Sequence, residues 1–223
     1  MKLNFPLFAS RRLAFASLIV LIPKLLNAQG TVYISNLGTL GGGGGNINAT
    51  SWVALGIETG GNSQGYVLDS VEVHMAAATG SPSGFTLSLF STASGLPSQS
   101  LGVLTGSANP ASSGVYTYDA SALNLTLAPS TEYFVVENAT SLPSQGSYEW
   151  GITGGGTTTV GGWQDVSTEF SNDQGNDWSP LFRTPLQIAV TATAVPESST
   201  WVLFLIGGGF AFYFHARKQP KQA

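Results

Sequence analysis

The sequence predicts an all-β protein: an antiparallel β-sandwich of jelly-roll type, flanked by an N-terminal signal peptide and a C-terminal transmembrane helix. Three observations lead there. Between Gly30 and Ala194, strand-like runs recur about every ten residues, separated by Gly, Pro, Ser and Asn clusters, and helix signals are scarce. Several of these runs alternate apolar and polar side chains, as half-buried antiparallel strands do. Both ends of the chain carry an apolar segment beside cationic residues, and cations are nearly absent between them.

The charge distribution sharpens this division. Charged residues are 9% of the 223, against roughly 25% in an ordinary soluble protein. Of eight Lys and Arg, four lie in the first 24 residues (Lys2, Arg11, Arg12, Lys24) and three in the last seven (Arg217, Lys218, Lys221). Only Arg183 remains between, against eleven of the twelve acids, so residues 30–194 carry a formal charge of −10. Such a surface repels phosphate backbones, which argues against nucleic-acid binding. Cys is absent, which excludes disulfides, Cys-based zinc sites, iron–sulfur clusters and thiol nucleophiles. With His at 74 and 215 alone, a multi-His metal centre is not expected, and no cofactor is.

Residues 1–28 read as a signal peptide. Lys2, Arg11 and Arg12 form the basic front, Leu13–Ile22 is an apolar run too short to span a bilayer, Pro23 breaks the helix, and Ala28 offers a small residue for cleavage. The body, residues 30–194, holds ten candidate strands: Thr31–Ser35, Ser51–Glu58, Tyr66–Ala76, Phe85–Ser91, Leu101–Thr105, Val115–Asp119, Leu123–Leu127, Glu132–Glu137, Ser147–Ile152 and Leu186–Ala194. In the third, Val67, Val71, Val73 and Met75 are expected on one face, opposed by Ser70, Glu72 and His74. In the last, Leu186, Ile188, Val190 and Ala192 alternate with Gln187, Thr191 and Thr193. Gly41–Gly45 reads as a flexible linker. Leu96-Pro97-Ser98-Gln99 and Leu142-Pro143-Ser144-Gln145 read as turns.

Chemistry is thinly supported in the body. A hydrolase triad would need His74 as base, and no G-x-S-x-G turn accompanies it. Glu132, Glu137 and Glu149, near Tyr133 and Trp150, are the candidates for a glycosidase pair. The acid-rich stretch Trp163–Trp178 reads as a loop in which Asp165, Glu169, Asp173 and Asp177 recur every four residues. That spacing offers oxygens to calcium, though an Asx-turn hairpin is the favoured reading. Trp52, Trp150, Trp163 and Trp178 could form a sugar-stacking platform, weighed against a core role, with Trp150 and Trp163 as the candidate ligand-binding pair. The chain is not expected to be an enzyme, and no metal site is assigned.

The last 29 residues, 195–223, fall into three parts. Val195-Pro196-Glu197 is followed by Trp201–Phe214, fourteen residues without a charged side chain, and then by the basic tail 215–223 with Arg217, Lys218 and Lys221. A helix over 201–214 reaches about 21 Å, and flanking residues with snorkelling cations close most of the gap to a roughly 30 Å hydrocarbon layer. Trp201 suits the headgroup zone, and the trailing cations hold the tail in the cytoplasm, leaving the body outside.

This three-part ending resembles the PEP-CTERM sorting signal of Gram-negative bacteria, with Ser198 where a second proline is usual. The resemblance implies recognition by an exosortase, a membrane-embedded transpeptidase, and processing near Pro196-Glu197. The body resembles the choice-of-anchor family of bacterial surface domains, closest to its R type. The matching stretches are Gly65–Val73, Phe85–Phe90, Leu127–Val136 and Asn176-Asp177-Trp178. Together these imply a protein exported across the inner membrane, transiently anchored there, and finally placed at the cell surface or in the extracellular matrix, with a structural or adhesive role. The alternatives are a carbohydrate-binding module for extracellular polysaccharide and, further off, a glycoside hydrolase.

Overall fold

A computed structural model describes residues 30–38, 41–181 and 185–197. The expected signal peptide, the apolar segment 201–214 and the basic tail lie outside the described residues. Among the described residues there is no α-helix, and no helix is long and apolar enough to cross a membrane.

The strands are β1 (Thr31–Ser35), β2 (Gly42–Ile47), β3 (Trp52–Glu58), β4 (Tyr66–Met75), β5 (Thr79–Gly80), β6 (Thr86–Ala93), β7 (Leu96–Val103), β8 (Gly114–Asp119), β9 (Thr126–Leu127), β10 (Glu132–Asn138), β11 (Gly146–Ile152), β12 (Thr158–Thr159), β13 (Gln164–Ser171), β14 (Ser179–Pro180) and β15 (Ile188–Ala194). They form two antiparallel sheets. The first runs β12-β1-β15-β4-β11-β2, with β8 and β9 also paired to β4 and β5 paired to β11. The second runs β14-β13-β3-β10-β6-β7. Their inner faces share one core: Val71, Val73, Ile188 and Val190 from the first sheet meet Leu55, Ile57, Leu87, Leu89 and Val135 from the second. Each such burial contributes about 1.5–3 kcal/mol, so the sandwich holds without disulfides.

Strand β4 corrects one expected face. Tyr66 and Leu68 point inward, then Val71, Val73 and Met75, so the alternation skips a step. The cause is a bulge: Thr191 pairs with Ser70 but Ala192 with Leu68, leaving Asp69 as the extra residue. Val67 therefore lies on the opposite face from Val71. The carboxylate of Asp69 accepts a hydrogen bond from Thr193 Oγ1 at 2.8 Å.

Three loop assignments are also corrected. The glycine run is strand β2, paired with β11 at the edge of the first sheet. Its neighbours fill the space side chains would need: a Cβ at Gly44 would stand 2.3 Å from Ile152 Cγ2 and 2.9 Å from Leu186 Cδ2. The first half of the acid-rich stretch is strand β13, paired with β3 and bulged between Asp165 and Thr168, while the second half makes the expected Asx-turn hairpin: Asp173 closes the turn and β14 pairs back on β13. Leu96-Pro97-Ser98-Gln99 opens β7, where Pro97 is tolerated because β7 pairs on one side only. Leu142–Gln145 is a turn as expected, with Pro143–Gln145 in a 3-10 turn and Gln145 Oε1 accepting the Leu142 N–H at 2.9 Å. The strand expected over Leu123–Leu127 is shorter, a 3-10 turn at Ser121–Leu123 and the two residues of β9.

Candidate functional site

Of the segment expected to act as a sorting signal, Val195-Pro196-Glu197 lies among the described residues, directly after β15. The last ladder pair is Ala194 with Tyr66. One step on, the Val195 N–H donates to Gly65 O at 3.0 Å. Asn62 Nδ2 donates to Val195 O at 3.0 Å and to Gly65 O at 2.7 Å. Ser63 Oγ donates to Glu197 Oε1 at 3.2 Å. Pro196 has no N–H to donate, and both it and Glu197 are exposed. The body thus clamps Val195 and leaves the next two residues exposed at its surface.

Local sequence builds the clamp. Gly65 sits at φ +77°, and a Cβ there would fall 2.2 Å from Leu127 O, so only glycine fits. The Gly65 N–H donates to Asn62 O at 2.8 Å, closing the turn. The Asn62 N–H donates to Tyr66 Oη at 3.3 Å. Tyr66 is in turn packed edge-on against Tyr33 and Trp163, at 5.2 and 5.0 Å, while Tyr33 and Trp163 stack at 4.9 Å.

The expected sugar-stacking pair is corrected by this packing. Trp163 is 0% exposed within the aromatic trio under the clamp. Trp150 is 0% exposed on the inner face of β11, with its Nε1 donating to Gln187 O at 2.9 Å. Neither ring face can meet a sugar from solvent. Trp201, Arg217 and Lys218 lie outside the described residues.

The carboxylate candidates do not converge either. Glu132 and Glu137 stand on opposite faces of β10, and Glu149 lies on the other sheet, its carboxyl folded over Gly43. Glu137 points into the core, fully buried with no hydrogen-bond partner to either oxygen, and burial pushes its carboxyl well above the usual carboxylate range. The acids of the former loop are divided as well. Asp165 and Glu169 lie on β13, while Asp173 is bound into the following turn, accepting from Ser171 Oγ at 2.7 Å and from the Asp177 N–H at 2.9 Å. Those hydrogen bonds hold the Asp173 carboxyl below its usual range. Among the described residues no three acidic or His side chains gather in metal-binding geometry. His74 contacts Gln187 through Nδ1 at 2.9 Å, while Glu72 accepts from Thr117, so these neighbours do not form an acid–base pair.

No family model, curated protein or solved structure matches the chain.

The sequence names Trp52 and Trp178 as aromatic candidates, but not the sheet face that gathers them with Phe90. On the outer face of the second sheet, Ala54, Phe134 and Val136 form a small apolar cluster on which Trp52, Phe90 and Trp178 pack, all three half-buried. Glu132 and Glu169 share that side. Burial raises the Glu169 carboxyl, the Ser167 hydroxyl beside it pulls the other way, and the Glu132 charge adds to the rise. The alternation of β10, with Phe134 and Val136 between inward Tyr133, Val135 and Glu137, was the signal: it is apolar on both faces.

Proposed function

We propose that this chain is an exported surface protein of PEP-CTERM type. On this reading it has a signal peptide, a non-enzymatic body wound as a jelly roll, and a C-terminal segment that an exosortase-type transpeptidase processes near Pro196-Glu197. The observation that supports it is the exit of the chain from the sandwich. Strand β15 ends at Ala194, the clamp fixes Val195, and Pro196-Glu197 stand exposed. A protease cleft grips extended backbone, and Pro favours that conformation in its predecessor. The repeated crossing of the chain between sheets, from β3 to β4 to β6 and from β7 to β8 to β10, agrees with the proposed winding. After processing, the body serves in the envelope or extracellular matrix as a structural or adhesive component.

The test is the intact mass of the protein from its native host, with and without the exosortase. Loss of everything after about residue 197 in its presence alone is the expected result. A C-terminus retaining Lys221 in both strains sinks the reading.

A further inference from the structure

We propose that the outer face of the second sheet binds a neutral polysaccharide, through the ring faces of Trp52, Trp178 and Phe90 and the carboxyls of Glu132 and Glu169. This goes beyond the processing of the tail and does not depend on it.

Strand register assembles the face. Phe134 lies between Gly56 and Phe90, and Val136 between Ala54 and Ser88, so two small residues of β3 form a shallow trough beside aromatic ones. Glu169 of β13 pairs across from Ala54. At Gly56 three strands converge: a Cβ there would meet Ser167 Oγ at 3.0 Å, Phe134 Cε1 at 3.1 Å and Glu132 Oε1 at 3.2 Å. At the end of β3, Trp52 and Trp178 approach one backbone position: a Cβ at Gly175 would stand 2.7 Å from Trp52 Cζ3 and 3.5 Å from Trp178 Cζ2. Beside this face, a groove of about 520 Å³ opens along the β13 edge between the sheets, reached by Ser167 and Glu169 but also lined by core Leu55 and by residues 155–157, and by none of the three rings.

The same face leaves hydrogen-bonding capacity unused. Glu169 is 5% exposed, and its Oε2 has no partner. Trp52 Nε1 has none either. Buried polar groups ordinarily find partners, so two orphans on adjoining strands beneath half-buried rings point to a ligand. Glu132 directs Oε2 to Thr92 Oγ1 at 3.0 Å and leaves Oε1 beside Gly56.

These features fix the ligand's chemistry. It must donate hydrogen bonds to carboxyl oxygens, accept one from the Trp52 indole N–H, and lay C–H surface on aromatic rings. It carries no negative charge, because Glu132 and Glu169 would repel it. A neutral sugar polymer meets all of these conditions, and an acidic one fails the last.

The experiment is affinity electrophoresis of the full chain in detergent, through gels containing dextran, hydroxyethyl cellulose or galactomannan, with alginate as the acidic polymer. The expected result is retardation by a neutral polymer and none by alginate. Trp178→Ala and Phe90→Ala should each weaken retardation by about tenfold with an unchanged unfolding midpoint, while Val115→Ala on the first sheet changes nothing. Because either variant could lose its fold, Glu132→Lys, at a half-exposed position, gives a second reading and should also weaken retardation. Migration unaffected by all three neutral polymers overturns the proposal. So does retardation that survives Trp178→Ala, Phe90→Ala and Glu132→Lys, or that is as strong in alginate.

Discussion

Glu137 is a carboxyl placed where a Leu or Val would ordinarily sit. Its strand neighbours in register are Val53 and Leu87, both core residues. Its folded pKa lies well above the ordinary 4.5, so the folded chain keeps a proton that the unfolded chain releases. Below about pH 4.5 both states are protonated and no loss occurs. Above it, stability falls with rising pH, by about 1.4 kcal/mol per unit, until the pH passes the folded pKa. Glu137→Gln mimics the protonated form and cannot ionise. Urea denaturation should find it close to the parent at pH 4 and more stable at pH 7; equal stability at both pH values contradicts this account. The charge of Glu137 was legible in the sequence, but its environment was not. Residues Tyr133–Val136 are apolar on both faces, and hydropathy alone does not say which face receives the acid that follows. Trp150 and Trp163 show the same gap. A ring that can stack on a sugar can equally fill a core, and only the positions of Tyr33, Tyr66 and Gln187 decide between them.

Among the elements, most strands were legible because alternation and turn residues marked them. Strands β1, β3, β10, β11 and β15 lie within two residues of their expected bounds. Strand β2 was illegible for a physical reason: glycines carry no side-chain pattern, and their role is to leave room for β11 and β15 neighbours. The face reversal in β4 was hidden because one extra residue, Asp69, changes the ladder without changing composition. The clamp at Asn62–Gly65 was likewise invisible, since its partner Val195 is 133 residues from Asn62. The packing of β2 makes its glycines unequal. Gly44 faces Ile152 and Leu186, the latter fully buried, whereas Gly43 faces the carboxyl of Glu149, the free end of a flexible side chain. Gly44→Val should therefore cost about 1–3 kcal/mol by overpacking, and Gly43→Ala much less, as Glu149 swings aside. Thermal unfolding of the two variants measures the difference, and equal losses would count against the packing described.

For the molecule as a whole, the distribution of charge matters more than its total. The eleven acids over residues 30–194, set against a single arginine, repel one another, and the described residues contain no Lys or Arg with which to form ion pairs. Stability rests on the apolar core and the two ladders, while the surface charge opposes compaction. Raising ionic strength from about 0.01 to 0.15 M shortens the screening length from about 30 to 8 Å. The melting temperature should rise across that range; a fall would mean that attractive pairs outweigh the repulsion. The same distribution leaves lysine at positions 2, 24, 218 and 221 and nowhere else. A chain trimmed at both ends as proposed would have its α-amine as the sole target for amine-reactive dyes, and trypsin would find a single cleavage position, after Arg183. Fluorescent tagging followed by one digestion would then distinguish trimmed from untrimmed molecules on an ordinary gel.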